Sequence, residues 1–161
     1  MNADRLHVYQ KYLFEKSPSI SLRYEDLSAD MGEADILKHF AGAGLRCIDQ
    51  SKASNGMGDR VCYASIDRAD DFPAMTVATF SNGGRLNYVL VQVPNWTHRR
   101  WLECFVGQYG KADRDGRVNG ILGGPVLRWS LSNGKLNMSR ERDLNPMHWS
   151  ILLWVAAEVK N

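Results

Sequence analysis

Two short stretches of this chain are near copies, and each constrains the fold around it. They read Ser81-Asn82-Gly83-Gly84-Arg85-Leu86-Asn87 and Ser132-Asn133-Gly134-Lys135-Leu136-Asn137. Asn-Gly between apolar runs is the strongest short-range signal for a β-hairpin, because both central residues of a type I′ turn need positive φ. Finding it twice predicts a sheet with at least two hairpins. It also suggests a duplicated unit, with chance similarity of two hairpins as the alternative.

A sheet needs a core, and 161 residues with 44% apolar and 24% charged side chains supply one. That length fits one domain over 1–161 without a long disordered tail. The formal net charge of +2 is too small to call for a polyanion, so no nucleic-acid partner is expected. No run reaches the roughly 18 to 20 apolar residues of a membrane span. Met1-Asn2-Ala3-Asp4 has neither a basic start nor an apolar stretch, so no signal peptide is read here. Membrane anchoring is expected only through a segment upstream.

Between these landmarks the chain alternates helical and extended patterns. Residues 4–16 carry Leu6, Tyr9, Leu13 and Phe14 at helical spacing, and Pro18 stops them. A short extended stretch follows over 20–24. A second helix starts after Ser28 or Asp30, shows Ile36, Leu37 and Phe40, and stops in the glycines at 42 and 44. Residues 45–49 and 60–66 read as strands. The first hairpin spans 74–93, and its outgoing arm Tyr88 to Val93 is apolar enough to demand a central place in the sheet or cover on both faces. Thr97 caps a third helix bearing Trp101, Leu102, Phe105, Val106 and Tyr109, and Gly110 ends it. Residues 111–124 form a loop long enough to be functional or mobile. The second hairpin spans 126–142, and a last strand spans 149–155.

Centring the second turn on Asn133-Gly134 sets Leu131 opposite Leu136 and Trp129 opposite Met138. Leu127, Trp129, Leu131, Leu136 and Met138 then share a dry face, and Arg128, Ser130, Asn137 and Ser139 a wet one. One dry face and one wet face is what a sheet with helices on a single side requires. The first hairpin has no clean polar face, so its solvent side is either a docking surface or covered by the N-terminal helix, and the second hairpin supplies the exposed face on which a partner is expected. The expected fold is therefore α+β: an antiparallel sheet with helices packed on one face. Two helix-plus-hairpin units, 31–96 and 97–159, are the candidate repeats, preceded by the helix at 4–16.

Cys47 and Cys62 flank the turn-rich loop between the first two strands. Pairing about that loop's centre puts them opposite each other, where a disulfide is within reach. Two reduced buried thiols are the alternative. A disulfide would argue for an oxidising compartment such as a periplasm. Cys104 falls on the apolar stripe of the third helix and reads as a core residue.

Chemistry-bearing motifs are sparse. His7, His39, His98 and His148 do not pair with Cys, His or carboxylates at metal-ligand spacing, and no metal or cofactor is expected. Asp113-Arg114-Asp115-Gly116 opens like a calcium loop, but Gly124 stands where the late Glu belongs. No nucleophile elbow, phosphate loop or zinc-protease motif is present. Asn95-Trp96-Thr97 and Asn137-Met138-Ser139 match the glycosylation pattern. Large aromatics dominate protein interfaces, so Trp96, Trp129, Trp149 and Trp154 are the candidate contacts, with some expected in the core.

The segments Phe80 to Leu86 and Trp129 to Leu136, each following a helix, resemble the strand-turn-strand part of the tandem α/β units of the beta-lactamase inhibitory protein. They are also similar to envelope lipoproteins of the SmpA/OmlA type, which assist outer-membrane assembly. The likeness covers about residues 31 to 159 and rests on pattern. It departs in the lack of a lipobox cysteine, in the N-terminal helix and in the 111–124 loop. No binding residue is carried over. The resemblance implies a non-enzymatic envelope or inhibitor role. The reading is thus an extracytoplasmic domain that binds or assembles another protein. The alternatives are a cytosolic inhibitor or immunity-type binder, and a small hydrolase using His98 or His148 with a carboxylate.

Overall fold

In the computed structural model, described over residues 3–50, 57–118, 122 and 124–157, the chain forms an α+β fold. It comprises α1 (Ala3–Phe14), β1 (Ser19–Ile20), a 3-10 turn (Tyr24–Asp26), α2 (Glu33–His39), β2 (Arg46–Asp49) and β3 (Arg60–Ser65). The short strands β4 (Arg68–Ala69) and β5 (Phe72–Pro73) follow, then β6 (Thr76–Asn82), β7 (Arg85–Val93) and a 3-10 turn (Asn95–Thr97). The remainder is α3 (His98–Tyr109), β8 (Asp113–Gly116), β9 (Val126–Leu131), β10 (Gly134–Ser139) and β11 (Ser150–Ala156). Eight strands make one antiparallel sheet in the order β2-β3-β6-β7-β11-β10-β9-β8. The apolar arm β7 is central, between β6 and β11, as its composition requires.

A helix followed by a four-strand meander occurs twice along this order: α2 before β2, β3, β6 and β7, and α3 before β8 to β11. The similar turn sequences do not carry into similar turns. In the first hairpin Asn82 pairs with Arg85, so Gly83-Gly84 is the two-residue turn, with φ of 60° and 80°. Both values are positive, as type I′ demands. In the second hairpin Leu131 pairs with Gly134, and Ser132-Asn133 is the turn, with no positive φ at either residue. The expected pairing there is corrected by two residues: Trp129 faces Leu136 and Leu127 faces Met138. Moving the turn this way leaves every side chain on its expected face, so the dry face survives: Leu127, Trp129, Leu136 and Met138 are all buried.

Tertiary contacts explain why the second turn sits where it does. The Asn133 side-chain amide donates to the carbonyls of Tyr24 (2.6 Å) and Leu27 (2.5 Å), tying the hairpin to the first 3-10 turn. Gly134 lies against the Val155 carbonyl and the Trp154 ring, where no side chain fits. Its glycine serves close approach rather than backbone handedness.

The principal core lies between the sheet and α2 and α3. Ile36 of α2, Phe40 just after it, and Trp101 and Phe105 of α3 pack with Val77, Val89, Val91, Trp129, Leu136 and Trp154. Full burial of each large side chain contributes about 1.5–3 kcal/mol. Trp101 and Trp129 keep their indole N–H groups bonded, to the Pro73 and Gly110 carbonyls. Leu37 and Val106, expected on the apolar stripes, are 41% and 45% exposed and sit on their edges. The stripe of α1 is also corrected. Tyr9 is buried, while Leu6, Leu13 and Phe14 face outward.

Two expectations about connections change. Of the stretch expected to be extended over 20–24, only Ile20 is a strand residue, and Tyr24 begins a 3-10 turn. β1 (Ser19–Ile20) joins β4 and β5 in a second, three-stranded sheet, β1-β4-β5, with β1 and β4 parallel. Asp70, at φ 49°, clasps it: its N–H donates to Ile20, and its carboxylate accepts the Leu22 N–H. The 111–124 segment contains edge strand β8 and turns Val118 and Leu122 inward against the sheet. Asp113 to Gly116 is that strand, not a calcium loop.

Candidate functional site

The side of the sheet away from the helices carries apolar residues rather than a uniform wet face. Pairing sets Tyr63, Ala78, Leu90 and Leu153 in one row, and Val61, Phe80, Tyr88 and Val155 in the next. Val118 and Leu122 cover one part of this surface. Below them Asn137 is fully buried, and its side chain is satisfied by Arg128 Nε (2.8 Å) and the Leu153 carbonyl (3.3 Å). Toward β2 the cover ends. Ile48 is 49% and Tyr63 41% exposed, Ala78 and Leu90 along the row from Tyr63 are half-buried, and Val61 and Phe80 beside Ile48 are buried. The exposed apolar side chains of this face thus lie on β2 and β3, beside the first hairpin.

At Ile151 this strip meets a cleft of about 500 Å³, lined by Leu122, Pro125, Arg142, Asp143, His148 and Trp149 among others. Two imidazoles approach it. His148 Nδ1–H donates to the Asp143 carboxylate at 2.6 Å, and its Nε2 accepts from Asn145 at 3.2 Å. His98 is buried beneath, with Nδ1 2.9 Å from Ser150 Oγ. Burial pushes the His98 pKa down, and the nearby Arg142 guanidinium adds to that shift. Ser150 lines the cleft, and His98 sits behind it without reaching the lining.

The four candidate tryptophans divide into two pairs. Trp129 and Trp154 are core residues, 2% and 0% exposed, and are corrected as contacts: each belongs to the dry face under α3. Trp96 is 51% exposed and Trp149 is half-buried at the cleft. Both pack on Tyr9 of α1, with ring centroids 5.8 Å and 6.4 Å away, and the Tyr9 hydroxyl donates to the His148 carbonyl. Sequence spacing could not join residues this far apart. Tyr9 itself was legible only as an apolar-stripe residue.

Cys47 and Cys62 are joined by a disulfide, with Cα atoms 4.0 Å apart. They oppose each other on β2 and β3. Gln50 N–H donates to Asp59 two pairs further on from the Arg46, Ile48 side of the ladder, so Cys47 and Cys62 occupy a non-hydrogen-bonded pair, where side chains lie closest. Glu33 brings a carboxylate to the same spot, and its oxygen and both sulfurs lie within 4.8 Å of one another. The sulfurs are bonded to each other, and a disulfide is not the thiolate that a metal needs. Glu33 is instead held by Arg60, at 2.5 Å. Cys104 is half-buried and its thiol pKa is raised, chiefly by burial.

Both glycosylation-pattern asparagines are buried, Asn95 at 4% and Asn137 at 0%, so neither amide is open to modification in the folded chain. No helix among the described residues is long and apolar enough to cross a membrane. No family model, curated protein or solved structure matches this chain.

Proposed function

We propose that this is a non-enzymatic protein-binding or assembly domain that works outside the cytoplasm and holds its partner on the uncovered face of its sheet. The observation that supports this reading best is the row Tyr63-Ala78-Leu90 on the face away from α2 and α3, where Tyr63 is 41% exposed and Ala78 and Leu90 are half-buried. The disulfide supports an oxidising compartment such as a periplasm, because cytosolic thiols are kept reduced. Capture of envelope proteins on immobilised protein tests the reading. Tyr63→Glu should lose a partner that wild type and Ser130→Glu retain, since Ser130 is exposed on β9, toward the far end of the sheet. Identical captures by all three would remove the proposal. The cytosolic inhibitor reading is separated by thiol titration after denaturation. One reactive thiol per chain in protein from its native compartment supports the envelope, and three support the cytosol.

The cleft supports a second reading, a small hydrolase, through the contact between His98 and Ser150 beside His148 and Asp143. A chromogenic ester panel tests it. Turnover that vanishes in Ser150→Ala would replace the binding reading with this one.

A further inference from the structure

The two edges of the large sheet are built differently. Edge strand β8 carries Asp113, Arg114 and Asp115, and its register breaks between Asp113 and Gly116. Charge and irregularity are how natural sheets discourage a further strand. The opposite edge, β2, also carries charge at Arg46 and Asp49 but has no break: four successive residues pair regularly with β3, and the Cys47–Cys62 bond pins the strand in place. Gln50 donates its N–H to Asp59, and main-chain groups alternate along a strand, so Arg46 and Ile48 also turn theirs toward β3. Cys47 and Asp49 therefore turn their N–H and C=O groups outward, along an edge that pairs with no strand among the described residues. Beside this edge, on the helix-free face, Ile48 and Tyr63 are the half-exposed apolar side chains.

We propose that β2 pairs antiparallel with β2 of a second copy of this chain, about a twofold axis at Ile48, joining two sheets edge to edge. The alternation of main-chain groups sets the register. Cys47 of each copy exchanges hydrogen bonds with Asp49 of the other, and Ile48 lies opposite Ile48 of the second copy. That pair is non-hydrogen-bonded, with Cβ atoms about 4.5–5.5 Å apart. It covers the apolar side chain that each monomer leaves in water. The neighbouring register, centred on Cys47, sets Ile48 against the Arg46 guanidinium and gives up that contact. The contact is self-complementary and closes after two copies, so it builds a dimer rather than a fibre. A pairing this short buries less than the ~1,000 Å² of a stable interface, so the dimer is weak and concentration-dependent.

The register makes the test specific. In a Cys104→Ser background, Ile48→Cys should form a covalent dimer on mild oxidation, linked through residue 48 and reversed by reductant. Arg46→Cys should not, because the two residues 46 stand about 13 Å apart along the antiparallel pair, beyond disulfide reach. Sedimentation velocity on the chain with its native cysteines should show a dimer fraction that rises with concentration and is lost in Ile48→Lys. Equal cross-linking of both cysteine variants, or none in either, would overturn the proposal. So would a wild-type chain that stays monomeric at every concentration, or an Ile48→Lys variant that dimerises as wild type does.

Discussion

Replacing Gly134 by Ala separates two reasons for a glycine beside a turn. The added Cβ would sit against the Val155 carbonyl oxygen and 2.9 Å from Cε2 and Nε1 of Trp154. Ordinary carbon–oxygen contacts begin near about 3.3 Å. Something must therefore move, and both neighbours resist. Val155 is main chain in the sheet interior, and the Trp154 ring is fully buried. Overpacking of this kind costs about 1–3 kcal/mol, against roughly 0.4–1 kcal/mol regained from a stiffer unfolded chain. With rigid neighbours the upper half of that range applies, for a net loss of about 2 kcal/mol. At about 2–4 °C per kcal/mol for a chain of this size, the melting midpoint should fall by roughly 4–8 °C. Gly83→Ala is the comparison: no atom lies within 4 Å of its Cβ, and only the φ of 60° opposes it. A left-handed alanine costs about 1 kcal/mol. Thermal and urea unfolding of both variants by circular dichroism reads the difference. A Gly134→Ala variant no less stable than Gly83→Ala would refute the close-approach argument.

The other expectations are simpler. Removing the disulfide with Cys47→Ala and Cys62→Ala together should cost about 3 kcal/mol, from a separation of 15 residues in the chain-entropy model, read as a lower urea midpoint. Asn133→Ala should cost about 1–3 kcal/mol by freeing the Tyr24 and Leu27 carbonyls, and urea unfolding would show a loss of that size. For His98 the folded pKa lies below the ordinary 6.5, so the unfolded chain binds the extra proton first. Its contribution is whole above pH 6.5 and declines as pH falls toward the folded value. His98→Gln should flatten that part of the stability profile, and an unchanged acid slope would refute the assignment.

Much of the fold was legible in the sequence because its signals are local. Pro18 and Gly110 stop helices through their own backbone restrictions. The alternation around Trp129 and Leu136 assigns a face whatever the register. The run Tyr88 to Val93 is too apolar for any but a central strand. The Cys47–Cys62 pair followed from symmetry about one loop. The candidate site was only partly visible. Exposed and buried tryptophans are chemically identical in a list of residues, and only packing under α3 separates Trp129 and Trp154 from Trp96 and Trp149.

The paired Asn-Gly signals show the same division. Sequence alone determined that two hairpins form and which side chains share a face, because strand periodicity is a property of the backbone. Tertiary structure decided where the second turn falls. At Gly83-Gly84 two positive φ values make the local preference sufficient. At Ser132-Asn133 the bonds from Asn133 to the first 3-10 turn, and the pressure of Val155 and Trp154 on Gly134, outweigh it. Those contacts span more than 100 residues of chain for Asn133. No local pattern can anticipate them.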